Sequence, residues 1–364
     1  MKSRNIGYIP EIDHLRLLAA LLVFGFHFFH FYVGSWTASP DHPFFGLVTE
    51  GHTGVSLFFV LSGFIFMTIA QASGEIRYGA FLRNRLLRIA PLFLTVFVVA
   101  ISIGRDRFVA TDLLYLFMTN LGDAPTSWHF ATGPAWSISV EFAFYLVFPF
   151  LAVFTRDQGP SYLFKLIGLL LILKGAAYLA TDSSKHMLYS TLIGRFDQFL
   201  IGMLAAIAYA RHRDRLERHG RLLLAVALLL VFAGSAAQAR WLSFLSTDVK
   251  QPFGIIAGTI EATLWALVVV AYLGARLPWP AWIGRALSKG GEWSFSFYMW
   301  HALIIYLMHE MLGALGGTRP LALVANGLLV LTATFAFAQL SYTTIERPFL
   351  SMRARYVRAA GDTD

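Results

Sequence analysis

The chain has 364 residues, 57% of them hydrophobic and 14% charged, with mean hydropathy +0.61 and formal net charge +8. Soluble globular chains carry about 45–50% apolar and about 25% charged residues, so a soluble fold could not cover this much apolar surface. The same figures exclude a disordered chain, and the absence of cysteine excludes disulfides, thiolate metal sites and a cysteine nucleophile. What remains is an all-α, polytopic integral membrane protein.

A helix needs ~20 mainly apolar residues to cross ~30 Å of hydrocarbon. Ten segments reach or approach that length: 14–34, 52–72, 89–104, 135–155, 162–180, 195–210, 221–238, 254–274, 293–313 and 321–345. The first is too long for the apolar part of a secretory leader, and Ser35-Trp36-Thr37 is a poor cleavage site, so it reads as a retained helix. An eleventh stretch, 112–121, is short for a crossing and runs into the Gly- and Pro-rich 122–134. Leaving it outside the bilayer puts 19 of the 29 Lys and Arg on the cytoplasmic side, six outside and four within spans. Were it to cross, the RHRDRLERHGR stretch at 211–221 would face outward, against the positive-inside tendency. The expectation is about ten transmembrane helices with both termini cytoplasmic. They form one domain, 1–364, with a short basic tail from about 349.

Ionisable residues inside spans are costly and point to function. In the first span Arg16 and His27 stand eleven positions apart, on one helical face and ~16 Å apart along the axis. A cation near the cytoplasmic mouth below a deep imidazole suits a long anionic donor. The competing reading is an arginine snorkelling to headgroups and a histidine bonded between helices. His30 shares that face, but no third ligand at a recognisable spacing accompanies it, so it reads as a packing or hydrogen-bonding residue and no metal site is expected. Arg83, Arg85 and Arg88 cluster in the loop before the third span. Arg85 and Arg88, at i and i+3, could clamp a phosphate, or simply touch lipid phosphates.

Glu141 lies ~9 Å into the span that opens at 135, a depth like that of His27. A carboxylate beside an imidazole would fix its tautomer for general-base work, while a structural hydrogen bond is the rival reading. Trp136 and Ser137, with Ser56 and Ser62, could line a channel, though packing or hydrogen bonding accounts for each. Arg195 and Asp197 could meet polar groups of an acceptor or close a helix mouth. His301 falls near the middle of its span, where it could line the channel or meet the acceptor, with a hydrogen bond to a neighbouring helix as the rival reading. Glu346 reads as structural, paired with a loop arginine, and Pro348 is expected to stop the last helix.

Seven motifs in order then resemble the acyltransferase-3 family of bacterial integral-membrane O-acyltransferases. They are Arg16–ten residues–His27, GVSLFFVLSGFIF at 54–66, RNRLLRIAP at 83–91, WSISVEFAFY at 136–145, GRFDQFLIGM at 194–203, FSFYMWHALI at 295–304 and IERPF at 345–349. The resemblance spans nearly the whole chain and is to the stand-alone type, without a fused SGNH hydrolase-like domain. It implies a multi-pass protein of the bacterial cytoplasmic membrane. Such a protein moves an acyl group, usually acetyl, from cytoplasmic acyl-CoA to a hydroxyl of a carbohydrate or glycolipid. It also implies that Arg16 and His27 are the family's first-helix pair and that Arg85 and Arg88 are its cytoplasmic RxxR, with Arg83 beside them. No metal and no nucleic acid are expected. An imidazole of ordinary pKa ~6.5 can take the hydroxyl proton near neutral pH, and direct transfer and an acyl-histidine relay both fit. The alternatives weighed are a transporter of a polar or lipid-linked substrate, and a membrane acyltransferase of another class acting on protein or lipid.

Overall fold

The computed structural model describes residues 5–36, 43–72, 75–116, 124–180, 188–243 and 251–358. Its long helices are α1 (Pro10–Val33), α2 (Gly54–Gln71), α3 (Tyr78–Ile103), α4 (Trp136–Gln158), α5 (Ser161–Ala180), α6 (Leu192–Ala237), α7 (Gly254–Ala275), α8 (Ala281–Glu292), α9 (Ser294–Leu312) and α10 (Pro320–Ser341). Among the described residues eight helical stretches are long and apolar enough to cross a bilayer, so the protein is a polytopic helical membrane protein. One of the eight, Leu188–Trp241, runs through α6, which is two helices joined at a break at His212 (φ −116°, ψ 20°); Arg195 near its start and Gln238 just past its end both bond Glu261, so the element folds back on itself. The 19-residue α9 is outside the eight, its serines, histidines and Glu310 lowering its hydropathy.

Four boundaries differ from the sequence expectation. First, the arginine cluster is not in a loop: α3 begins at Tyr78, and the Arg and Leu residues of RNRLLR are good helix formers. Second, the 211–221 stretch is also helical, held by Arg213 donating to Glu217 at 2.7 Å across one turn. Third, the 275–292 connection contains α8. Fourth, Pro348 does not stop the last helix. A π-helical turn, Tyr342–Glu346, separates α10 from a final helix Arg347–Ser351, and Pro348 sits in that helix's first turn, where its missing N–H goes unneeded. Of the short 112–121 stretch, residues up to Leu116 belong to a 3₁₀ segment, Ala110–Leu116; the remainder, and the tail beyond 358, lie outside the described residues.

Helix α1 starts with Pro10 in its first turn and ends at Gly34, whose left-handed φ of 67° turns the Ser35 N–H back onto the His30 carbonyl while its own N–H reaches Phe31. Helices α2 and α6 touch backbone to backbone through a reciprocal glycine pair. A Cβ on Gly63 would lie 2.0 Å from the Phe199 carbonyl oxygen, and one on Gly202 would lie 2.1 Å from that of Val60. Phe199 of α6 stacks on Phe144 of α4 and Phe59 of α2, at centroid distances of 4.0 and 4.6 Å, closing the core around that contact. At the arginine-bearing end a two-residue antiparallel pairing joins Glu75–Ile76 to Val357–Arg358.

Candidate active site

Two cavities begin at the arginine-bearing end of the bundle. The first, about 90 Å³, is lined by Asp13, Arg16, Asn84, Arg85 and Arg353 among others. The second, about 80 Å³, runs deeper, past Arg85, Arg88 and Glu141 to Ser137 and Tyr298. Arg16, Arg85, Ile65 and Phe66 belong to both walls, so the two are successive chambers of one path.

The arginines differ in how they are neutralised. Arg16 reaches Asp13 at 3.0 Å, and Tyr8 also donates to Asp13 at 2.9 Å. Arg88 lies 3.4 Å from Glu346, whose other oxygen accepts from Ser296. The expected ion pair of Glu346 is therefore found, with its arginine on a helix, and the π turn aims the carboxylate inward. Arg85 lies over the rings of Phe66, Phe81 and Tyr145, pairs with no carboxylate among the described residues, and keeps a buried Nε without a hydrogen-bond partner. Arg83 is exposed and lines neither chamber.

Glu141 stands on the wall of the second chamber, accepting from Ser62 at 2.9 Å and from Tyr145 at 2.5 Å. It is not the partner of His27. Matching depth along two helices says nothing of which way their faces turn, and here the imidazole finds another imidazole. His27 Nδ1 lies 3.0 Å from His301 Nε2 and 3.0 Å from the Val23 carbonyl, while His301 Nδ1 lies 2.6 Å from the Tyr298 carbonyl.

With one proton on each ring, a single arrangement satisfies these contacts. The Tyr298 oxygen can only accept, so His301 Nδ1 carries its proton and its Nε2 is bare. His27 Nδ1 then donates to that nitrogen and to Val23, leaving a lone pair on His27 Nε2. Phe26, Trp36 and Phe130 surround the His27 ring edge-on, yet it keeps accessible surface. Below it the Tyr298 hydroxyl meets Ser137 Oγ at 2.9 Å and donates to the Pro134 carbonyl at 2.9 Å, closing the top of the second chamber.

The opposite end of the bundle holds a second polar group. Arg195 donates to Ser56 at 3.1 Å and to the Tyr189 carbonyl at 2.7 Å, lies over the Tyr189 ring, and pairs with Glu261 at 3.4 Å. Glu261 also accepts from Ser56 and Gln238. Beside them His52 meets Glu50 at 3.1 Å, and Trp136 packs against Tyr189. Asp197 belongs to an adjoining pair. Wholly buried, it pairs with Lys174 at 2.8 Å and accepts from Thr259 at 2.5 Å. His30 faces the Ser35 and Thr49 carbonyls, a turn-closing role. Among the described residues no group of three His, Asp or Glu is placed to hold a metal.

Sequence reasoning passed over Glu50, His52, Tyr145, Glu261 and Arg353. Only Glu261, a carboxylate within an apolar span, carried a readable signal.

The sequence profile of a family described as an acyltransferase domain matches residues 9–343. The chain is 26% identical to the acyltransferase MdmB of Streptomyces mycarofaciens, over 97% of this chain and 95% of that protein. It is also 26% identical to the peptidoglycan O-acetyltransferase OatA of Listeria monocytogenes, over 94% of this chain but 56% of that protein. The chain thus spans almost all of one relative and little more than half of the other. No solved structure matches.

Proposed function

The chain belongs to the acyltransferase-3 family, and we propose that it moves an acyl group, acetyl first among candidates, from cytoplasmic acyl-CoA to a hydroxyl of a carbohydrate or glycolipid. Its likeness to a peptidoglycan O-acetyltransferase supports the acceptor class. In this reading there are ten crossings, counting α6 twice across its break and adding α9. Both termini lie on the cytoplasmic side of a bacterial inner membrane.

The observation that supports the reading is the arginine-lined path that ends at Ser137 and Tyr298, directly below the histidine pair, with His301 bonded to the Tyr298 carbonyl. Arg85's buried, unpartnered Nε beside Arg16 and Arg88 fits the phosphates of such a donor, and these three residues would hold them. A thioester brings an already activated acyl carbon, so the protein's task is to deprotonate an alcohol. His27 Nε2 carries the lone pair for that task. It takes the hydroxyl proton as the oxygen attacks the acyl carbon, and it returns the proton to the departing sulfur as the C–S bond breaks. His301 does not meet the proton; by accepting from His27 Nδ1 it fixes the tautomer that leaves Nε2 bare. Glu141, held by Ser62 and Tyr145, lines the path below.

The test is mass spectrometry of cell-surface and secreted glycans from a deletion strain and its complemented counterpart, with acetyl-CoA-dependent thermal stabilisation of the purified protein alongside. Loss and return of an O-acyl group, with stabilisation by the donor, is the expected result. Unchanged glycans and no stabilisation would overturn the reading and leave a transporter.

A further inference from the structure

The segment 352–358 lies beyond the family-matched residues, yet it is fastened across the arginine-bearing mouth by Asn5 and by the stretch 75–84. Asn84 of α3, 2% exposed, clamps Ala354 from both sides, donating to its carbonyl at 2.6 Å and accepting from its N–H at 3.1 Å. Asn5 accepts from the Tyr356 N–H at 3.0 Å. Arg77 donates its backbone N–H to Tyr356 at 2.9 Å and its guanidinium to the Arg355 carbonyl at 2.6 Å. The Tyr356 ring is buried against Phe81 at 5.3 Å, and the Glu75–Ile76 pairing holds the far end.

These bonds fix the backbone on the C-terminal side of Arg353, whose own N–H reaches the Leu350 carbonyl at 3.4 Å and whose side chain forms part of the first chamber's wall with Arg16 and Arg85. Three guanidinium groups there face one carboxylate, Asp13, which is already engaged by Arg16 and Tyr8. Neither Arg353 nor Arg85 has a carboxylate at ion-pair distance among the described residues. Arg353 does donate to the Leu350 carbonyl at 3.3 Å. Burial, with Arg88 and Arg85 close by, pulls the Arg353 guanidinium down to about 10. Like charges gathered in a partly dry cavity are an arrangement that an anion relieves.

We propose that the 352–358 segment is a strap completing the donor site, and that Arg353, with Arg16 and Arg85, binds a phosphate of the anionic donor. The identity of that donor rests on the acyl-CoA reading above; the anion site itself rests on the charge arrangement.

The experiment measures binding of CoA and of inorganic diphosphate to the purified full-length protein by calorimetry, for wild type and for Arg353→Ala, Arg353→Lys and Arg355→Ala. Loss of a charge-assisted contact weakens binding about 10- to 100-fold. That loss is expected for Arg353→Ala, with partial recovery in Arg353→Lys and no change in Arg355→Ala, whose side chain is exposed. Wild-type affinity for both probes in Arg353→Ala would overturn the strap's role while leaving the donor reading intact. Diphosphate binding that depends on Arg353, without CoA binding, would uphold the anion site and end the donor reading. A loss that Arg353→Lys does not lessen, with an equally lowered melting temperature in both variants, would make the strap structural only and overturn the proposal.

Discussion

The two ends of the bundle treat buried charge in opposite ways. Around Arg195 and Glu261 the cation meets a carboxylate, a serine, a carbonyl and a ring face, and the neighbouring Lys174–Asp197 pair is sealed from solvent. Around Arg85 and Arg353 the cations outnumber the acids and line a cavity. Inside a membrane a matched group closes on itself and joins helices, whereas an unmatched group beside a cavity is poised for something that arrives. On the proposed reading the first cluster serves architecture and the second a ligand.

The largest effect that would sharpen this division concerns the histidine between the two ends. His27→Ala should lower turnover about 10²–10⁴-fold, the range for a general base, with the melting temperature of the purified protein unchanged. Turnover at the wild-type level would remove His27 from the chemistry. Next, Lys174→Met should destabilise the protein by about 3–5 kcal/mol by stranding the buried Asp197 charge, and Lys174→Met/Asp197→Leu should recover much of it. Thermal unfolding reads this. A single variant as stable as wild type would break the architectural assignment.

At the other end Arg85→Ala should raise the KM for acyl-CoA about 10- to 100-fold and leave stability nearly untouched, while exposed Arg83→Ala changes neither. Equal effects at the two positions would mean that the arginines serve lipid headgroups. The smallest effect is expected of His301→Gln. It should cost about tenfold in kcat, the worth of one hydrogen bond at ~1.4 kcal/mol, with KM unchanged.

Much of this was legible in the sequence. Span lengths and Lys/Arg placement need only local composition, and the long apolar helices lie where the hydropathy put them. Arg16, Arg85, Arg88, Glu141 and Ser137 all line one path. What failed was azimuth. The depths of His27 and Glu141 could be reckoned at 1.5 Å per residue, but the turn of α1 toward α9 depends on packing between segments 274 residues apart, which no local pattern encodes. Arg195 and Asp197, two positions apart, point into different clusters for the same reason. Arg353 stayed hidden because its placement comes from Asn5, Arg77 and Asn84 gripping a tail with no periodicity of its own.

The glycine contact between α2 and α6 bears on how the path can open. Phe58, Phe59, Ser62, Ile65 and Phe66 of α2 form one side of the second chamber, while Gly63 anchors the same helix to α6 with no side chain between them. At about 80 Å³ the chamber holds roughly two or three waters' worth of volume. Any dilation that lets a thioester arm rise must therefore come from α1, α3, α4 or α9 moving against the joined α2 and α6. Spin labels on α4 and α6 should register that movement, and labels on α2 and α6 should stay in step.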